Sequence, residues 1–293
     1  MSISNKFDLA IKLAETKSKD GAYTVKERKY EAYMQNTEWE KFKADMTPTA
    51  FKEYCAGGGG ELEEKNGRPP KMASYGSSSR MIYKLSSHKE EFHFEKKLPT
   101  TIGGTANLDG FYEDDNRYVF VEAKCHEIYS SKNSSVSKAY EKLYNFINEK
   151  MSGIVEIKMH DSKCGRYLDV EYFAKGEKLR HFDMKQMICH LLGIATGILK
   201  GDLDKKQTDF IYLLYDPSKL ELAPDTKEAV DSIYNRTCYE FNLVDYSRLL
   251  RVIFEFLKEI KYTEAVSDEE LDALICKFTF MLKSQDFYPA ILQ

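Results

Sequence analysis

From residue 107 to 124 the chain reads Asn-Leu-Asp-Gly-Phe-Tyr-Glu-Asp-Asp-Asn-Arg-Tyr-Val-Phe-Val-Glu-Ala-Lys, so that two carboxylates, Asp109 and Glu122, are followed closely by the ammonium of Lys124. Carboxylates are the hard oxygen ligands that suit Mg2+, an ion that acidifies bound water and neutralises charge at a phosphoryl centre. A neighbouring lysine adds a compact positive charge. Together these residue types point to metal-assisted phosphodiester chemistry, provided the fold gathers them.

A hairpin would gather them. Residues 107–112 and 117–124 are rich in aromatic and β-branched side chains, whereas Glu113-Asp114-Asp115-Asn116 is turn-forming. A loop of two residues (114–115) or of four (113–116) places Asp109 opposite Phe120. Side chains alternate along a strand, so Asp109, Phe120, Glu122 and Lys124 are expected on one face, with Asp109 and Glu122 as diagonal neighbours roughly 7–8 Å apart at Cα. An odd loop or a bulge would move Asp109 to the other face. Val119, Val121 and Ala123 give the second strand one apolar face while Tyr118 and Phe120 make the other largely apolar, which predicts a central strand. Charges at the end of a strand buried on both sides need partners or a metal. The competing reading is an exposed Glu–Lys pair, because in a chain that is 31% charged this spacing arises readily by chance.

The 293 residues, 42% hydrophobic and 13% aromatic, are those of a folded globular protein with one large core or two smaller ones. The start, Met-Ser-Ile-Ser-Asn-Lys-Phe-Asp, lacks the apolar core of a signal peptide, and the longest apolar run, residues 191–199, is far too short for a membrane span. A cytoplasmic protein without membrane contact is expected. Six cysteines without a Cys-x-x-Cys pair indicate neither a zinc ribbon nor a disulfide framework. With a net charge of -4, a nucleic-acid surface must be a local basic patch, for which Lys65, Arg68, Lys71, Lys132 and Lys138 are candidates.

The surrounding pattern says what would hold the hairpin. Residues 5–56 read as helices, with Thr37-Glu-Trp-Glu40 as a capping box and a helix after Pro48 that stops at Gly57. The glycine run 57–60 reads as a flexible turn, or as a phosphate cradle; no Lys-Ser/Thr follows it, which argues against a P-loop. A short helix starts within residues 77–80 and carries Met81, Ile82 and Leu85 inward. Residues 91–98 form a strand with Phe92 and Phe94 on one face and His93 and Glu95 on the other. Residues 135–150 look helical, with Val136, Tyr140, Leu143 and Ile147 as the inner stripe, and 153–174 reads as a second hairpin turning at 161–165; this pair resembles an insertion. A strongly apolar helix over 182–200 and a buried strand over 208–215 imply a crossover connection. On that helix Gln186 and His190 have two readings. Either they point to the active site, or Gln186 completes an Asp183-x-x-Gln186 capping box, His190 is a core histidine, and Gly193 and Gly197 permit close packing on the sheet. From Pro224 onward the chain reads as helical, with a capping box at Ser267-x-x-Glu270.

The order helix, strand, Asp-bearing strand, Glu-x-Lys strand, Gln-bearing helix, strand resembles the core of the PD-(D/E)XK nuclease superfamily. The residues that carry it are Leu108-Asp109-Gly110, Val121-Glu122-Ala123-Lys124 and Asp183-Met-Lys-Gln186. Gly58-Gly-Gly-Glu61-Leu62, Pro70-Lys71-Met72, Ser77-Ser-Ser79 and Glu122-Ala-Lys-Cys-His-Glu127 are similar to a bacterial branch of it. The resemblance implies an α/β (α+β) restriction-endonuclease-like core over 57–222, a mixed central sheet flanked by helices, with an insertion at about 128–180 and helical extensions over 1–56 and 223–293. It also implies that Asp109, Glu122 and the Ala123 carbonyl bind Mg2+ or Mn2+, that Lys124 orients or helps deprotonate the attacking water, and that Glu61 is a further metal ligand. Gln186, Ser78, Ser79 and Lys71 are the implied substrate contacts. DNA is the expected substrate, with RNA and a homodimer as open alternatives. The position before Asp109 is Leu rather than the eponymous Pro. The alternative is a catalytically inactive nucleic-acid-binding or assembly module that retains the fold.

Overall fold

The computed structural model describes residues 2–18, 23–26, 31–57, 60–65, 67–129, 134–163, 165–260 and 266–286. After α1 (Ile3–Lys17) come β1 (Tyr23–Lys26) and β2 (Glu31–Met34), an antiparallel pair, and then α2 (Asn36–Ala44) and α3 (Pro48–Gly57). The N-terminal region is therefore not all helical. Thr24 and Val25 are β-branched, and β2 buries Ala32, Tyr33 and Met34 consecutively, which a single helical stripe would not do. Helix α2 starts two residues earlier than expected, so Thr37 lies in its first turn rather than capping it.

The hairpin sits in a central mixed sheet. Helix α4 (Ser78–Ser86), capped by the Ser77 side chain on the Arg80 N–H, leads to β3 (Phe92–Pro99), β4 (Thr105–Glu113) and β5 (Arg117–Lys124). An inserted unit follows: β6 (Ser134–Ser137), α5 (Glu141–Lys150), β7 (Val155–Asp161), β8 (Tyr167–Ala174) and β9 (Glu177–Leu179). It forms its own sheet in the order β6-β8-β7, with β9 on β8. The segment expected as one helix from 135 to 150 is split, because Val136 lies in β6 and only Leu143, Tyr144 and Ile147 form the buried stripe of α5. Next come α6 (Met184–Lys200), β10 (Gln207–Leu214), α7 (Pro224–Leu243), α8 (Tyr246–Glu259), α9 (Asp268–Ile275) and β11 (Phe278–Ser284).

The central sheet runs β11-β10-β5-β4-β3. β10 is parallel to both β5 and β11, while β4 is antiparallel to β3 and β5. β5 is thus the middle strand, and every residue after Arg117 is buried. The C-terminal region also departs from the all-helical expectation: Phe278-Thr-Phe-Met-Leu has strand composition, and it finds an open edge on β10. Ser267 and Glu270 do form the capping box that starts α9.

Helix α6 packs closely on the sheet. A methyl group placed on Gly193 would lie 2.6 Å from the Ala106 Cβ and 3.1 Å from the Leu98 Cβ. Gly193→Ala is accordingly expected to cost about 1–3 kcal/mol of overpacking, offset by up to about 1 kcal/mol of helix propensity. Urea unfolding of the variant checks this; a gain in stability would mean that α6 can shift freely.

β3 and β4 do not keep one face throughout. Phe94 pairs with Gly110 and Lys96 with Leu108, but the register has no pair at Glu95, whose φ of 54° is left-handed. On one side of this break Phe94 stacks with Tyr54 of α3 and Tyr83 of α4, and Gly110 faces Phe92 and Ile82. On the other side Leu98 and Ala106 face Gly193 of α6. Even-numbered residues therefore point to opposite layers before and after the break, and Glu95 and Asp109 stand at the crossing point.

Candidate active site

β4 and β5 bring the two carboxylates together, in a register two residues away from the expected one. Phe120 pairs with Phe111 and Val121 with Gly110, so the next position sets Asp109 alongside Glu122 rather than diagonal to it. The turn closes with Asp114 Oδ1 accepting the N–H groups of Asn116 and Arg117 at 2.9 Å each. The loop parity is even, but the Asp109 carboxylate does not simply stand on the face with Glu122. Its Oδ2 accepts the Ala123 N–H at 2.7 Å, crossing the gap where β4 and β5 have stopped pairing.

Glu122 and Lys124 form the buried centre. Lys124 Nζ donates at 2.5 Å to Glu122 Oε1 and to Gln186 Oε1, and His190 Nε2 lies 2.8 Å from Glu122 Oε2. Both reach the centre from α6. Asp183 caps that helix by accepting the Gln186 N–H at 3.1 Å, but the Gln186 side chain turns to Lys124 instead of closing a capping box. The His190 Nδ1 is buried without a partner, and Nε2 is the ring nitrogen that meets Glu122.

The electrostatics set the two carboxylates apart. Burial opposes ionisation of Glu122, yet the charges of Lys124 and His190 outweigh it and hold the carboxyl down at about 2. Asp109 is pushed well above the usual carboxylate range by burial and by the negative charge of Glu122, with Lys124 opposing. Lys124 resists the desolvation that would lower it and is held well above the ordinary lysine value by Glu122. It is a firmly protonated ammonium.

A second group of acids lies next to this centre, and Glu95 belongs to it without any sequence signal beyond strand alternation. Its Oε2 accepts the Asn107 amide at 2.6 Å, and it presses on Gly57, where an added Cβ would come within 3.3 Å. Burial raises its carboxyl, as do the charges of Glu61 and Glu122. Glu61 is 4% exposed; its Oε1 accepts Lys71 Nζ at 2.7 Å, and its Oε2 is buried with no partner. The turn bearing Glu61 is fixed by Lys71 N–H to Gly60 O and Met72 N–H to Glu61 O, both 3.0 Å. Gly58 and Gly59 lie outside the described residues.

The other expected substrate contacts are differently occupied. Lys71 is tied to Glu61, Ser78 donates to Glu127 Oε1 at 2.9 Å, and Ser79 is buried with its carbonyl taken by the Tyr54 hydroxyl at 3.0 Å. Of the basic candidates, Lys138 pairs with Asp161 at 2.6 Å, and Lys132 lies outside the described residues.

Oxygen donors suit a hard cation, and the orphaned Glu61 Oε2 and the raised Asp109 carboxyl mark negative charge that lacks full compensation. Among the described residues, however, no three His, Cys, Asp or Glu side chains gather as a ready ligand set. Two carboxylates and a carbonyl still fit Mg2+, which keeps several waters and is commonly held by one or two carboxylates.

Fold and site define a mixed α/β chain with a central mixed sheet flanked by helices and an ionic cluster at the end of its middle strand. No family model, no curated protein and no solved structure matches the chain. No helix among the described residues is long and apolar enough to cross a membrane.

Proposed function

We propose that this chain is a metal-dependent nuclease that hydrolyses phosphodiester bonds, with DNA as the expected substrate, on a restriction-endonuclease-like core of the PD-(D/E)XK kind. The supporting observation is the meeting of Asp109, Glu122 and Lys124 at the end of β5 with Gln186 from the crossover helix. Asp109, Glu122 and the Ala123 carbonyl would hold Mg2+ or Mn2+, with Glu61 as a further donor. The bound cation would supply an acidified water and charge neutralisation at the phosphorus. Lys124, being firmly protonated, acts through its charge and its hydrogen bonds rather than as a base. Gln186 fixes where the ammonium points, and His190 fixes the orientation of Glu122.

Incubating supercoiled plasmid with Mg2+ or Mn2+ tests this reading. Nicking or linearisation is expected for the wild type and loss of it in Asp109→Ala, Glu122→Gln and Lys124→Ala. No wild-type cleavage, or equal cleavage in all three variants, would sink it.

One observation favours a second reading, a non-catalytic nucleic-acid-binding module. Both Glu122 oxygens are already engaged, by Lys124 and His190, so a cation has to compete for this carboxylate. Salt-dependent DNA binding with no cleavage under any divalent ion would support that module.

A further inference from the structure

A cleft of about 750 Å3 opens from Lys124 toward the inserted sheet. Its walls are Lys124 and Tyr212 on the core side, β8 and β9 on the insertion side, and residues 180–185 at the start of α6. The insertion is anchored to that helix by Lys185 Nζ on the Ser135 carbonyl at 2.9 Å and by the Tyr140 hydroxyl on Cys189 Sγ at 3.2 Å.

We propose that this cleft seats an unpaired nucleic-acid strand and that Arg180 is the residue that grips its phosphate; the proposal rests on the nuclease reading for the position of the scissile bond. Three observations carry it. First, formal charge along the walls is nearly balanced. Lys124, Lys178, Arg180 and Lys185 face Glu127, Asp169, Glu171 and Asp183, so recognition depends on placed donors rather than on a general basic field. Second, most of these groups are committed. Lys124 is bound to Glu122 and Lys178 to Glu171, Asp183 caps α6, and Glu127 takes the Ser78 hydroxyl and the Cys125 N–H. The exposed Arg180 forms no ion pair among the described residues. Third, its backbone is locked: the N–H groups of Arg180, His181 and Phe182 all donate to Glu240 Oε2, at 2.9, 2.8 and 2.9 Å. A guanidinium on a fixed backbone is a preorganised fork for phosphate.

Size selects the form of the strand. A volume near 750 Å3 lies within the roughly 300–1,000 Å3 of small-ligand sites. It therefore has room within its walls for a few unstacked nucleotides.

Fluorescence anisotropy with a labelled single-stranded oligonucleotide, in EDTA so that nothing is cleaved, tests the assignment. Arg180→Ala is expected to weaken binding several-fold and to reduce the salt slope by about 0.7, the value for one phosphate contact on a single strand. Arg180→Lys should retain part of the affinity, and a blunt duplex should compete poorly. Lys205→Ala, at an exposed lysine outside the cleft, should bind like the wild type. Unchanged affinity and slope in Arg180→Ala, an equal loss in Lys205→Ala, or equal competition by duplex would each overturn the proposal. Because metal is absent, these outcomes are independent of cleavage: a nuclease that ignores Arg180 removes this inference alone, and Arg180-dependent binding without cleavage removes the nuclease reading alone.

Discussion

Glu240→Ala is expected to destabilise the fold by about 3–5 kcal/mol, the scale for breaking a buried, hydrogen-bonded charge. Glu240 is fully buried on α7, where one oxygen collects three consecutive backbone N–H groups and the other accepts Arg236 Nε at 2.9 Å. Removing the carboxylate strands all three donors in the interior. Arg236→Ala should cost much less, because its side chain is 37% exposed and the three N–H groups still solvate the carboxylate. Urea unfolding of the two variants gives the comparison; equally small effects would show that the 180–182 segment holds itself. The loss should also reach the site, since that segment leads directly into Asp183 and Gln186.

The second large effect concerns Asp109. Asp109→Asn is expected to raise the melting temperature of the metal-free protein at neutral pH and to abolish any rise caused by Mg2+ or Mn2+. The signs follow from the two carboxylates. Glu122 is depressed from 4.5 to about 2, so its stabilising contribution is present above 4.5 and is lost as pH falls toward 2. Asp109 is shifted the other way, by burial and by Glu122, so its ionisation costs stability as pH rises above its ordinary value of 3.8. Metal-free protein should therefore be most stable on the acid side of neutrality. A bound cation favours the ionised carboxylate and moves that optimum upward. Differential scanning calorimetry across pH, in EDTA and in Mn2+, reads both effects; an asparagine variant no more stable than wild type, or one still stabilised by Mn2+, would contradict this account.

The site was more legible in the sequence than its surroundings. Val-Phe-Val before Glu-Ala-Lys marked a strand buried on both sides, and Glu113-Asp-Asp-Asn116 marked its turn, so Asp109, Glu122 and Lys124 could be expected together. Gln186 and His190 could be placed on one helix face, but choosing between a cap and a site contact required the Lys124 and Glu122 distances. Glu240 was not legible, because a glutamate in a charged helix carries no sign of the three backbone donors waiting for it. β11 was legible in composition, as Phe278-Thr-Phe-Met-Leu, but short strands are easily absorbed into a helical reading of the segments around them. β1 and β2 escaped for the same reason. The register of β4 against β5 depended on which residues the turn used, and local propensity does not decide that.

The reversal of faces at Glu95 has a consequence for how the chain tolerates change. In an ordinary strand, a saturation scan returns a two-residue rhythm of sensitive and permissive positions. Across residues 92–112 that rhythm should slip in phase: Phe92 and Phe94 are sensitive because they serve the α4 layer, and Leu98 and Ala106 because they serve the α6 layer. Near the slip the usual hierarchy inverts, so that Glu95 resists β-branched replacements that a strand normally welcomes and accepts glycine, which adopts its backbone angle freely. One ribbon thereby reports to two cores, and the carboxylates occupy the only point along it that belongs to neither.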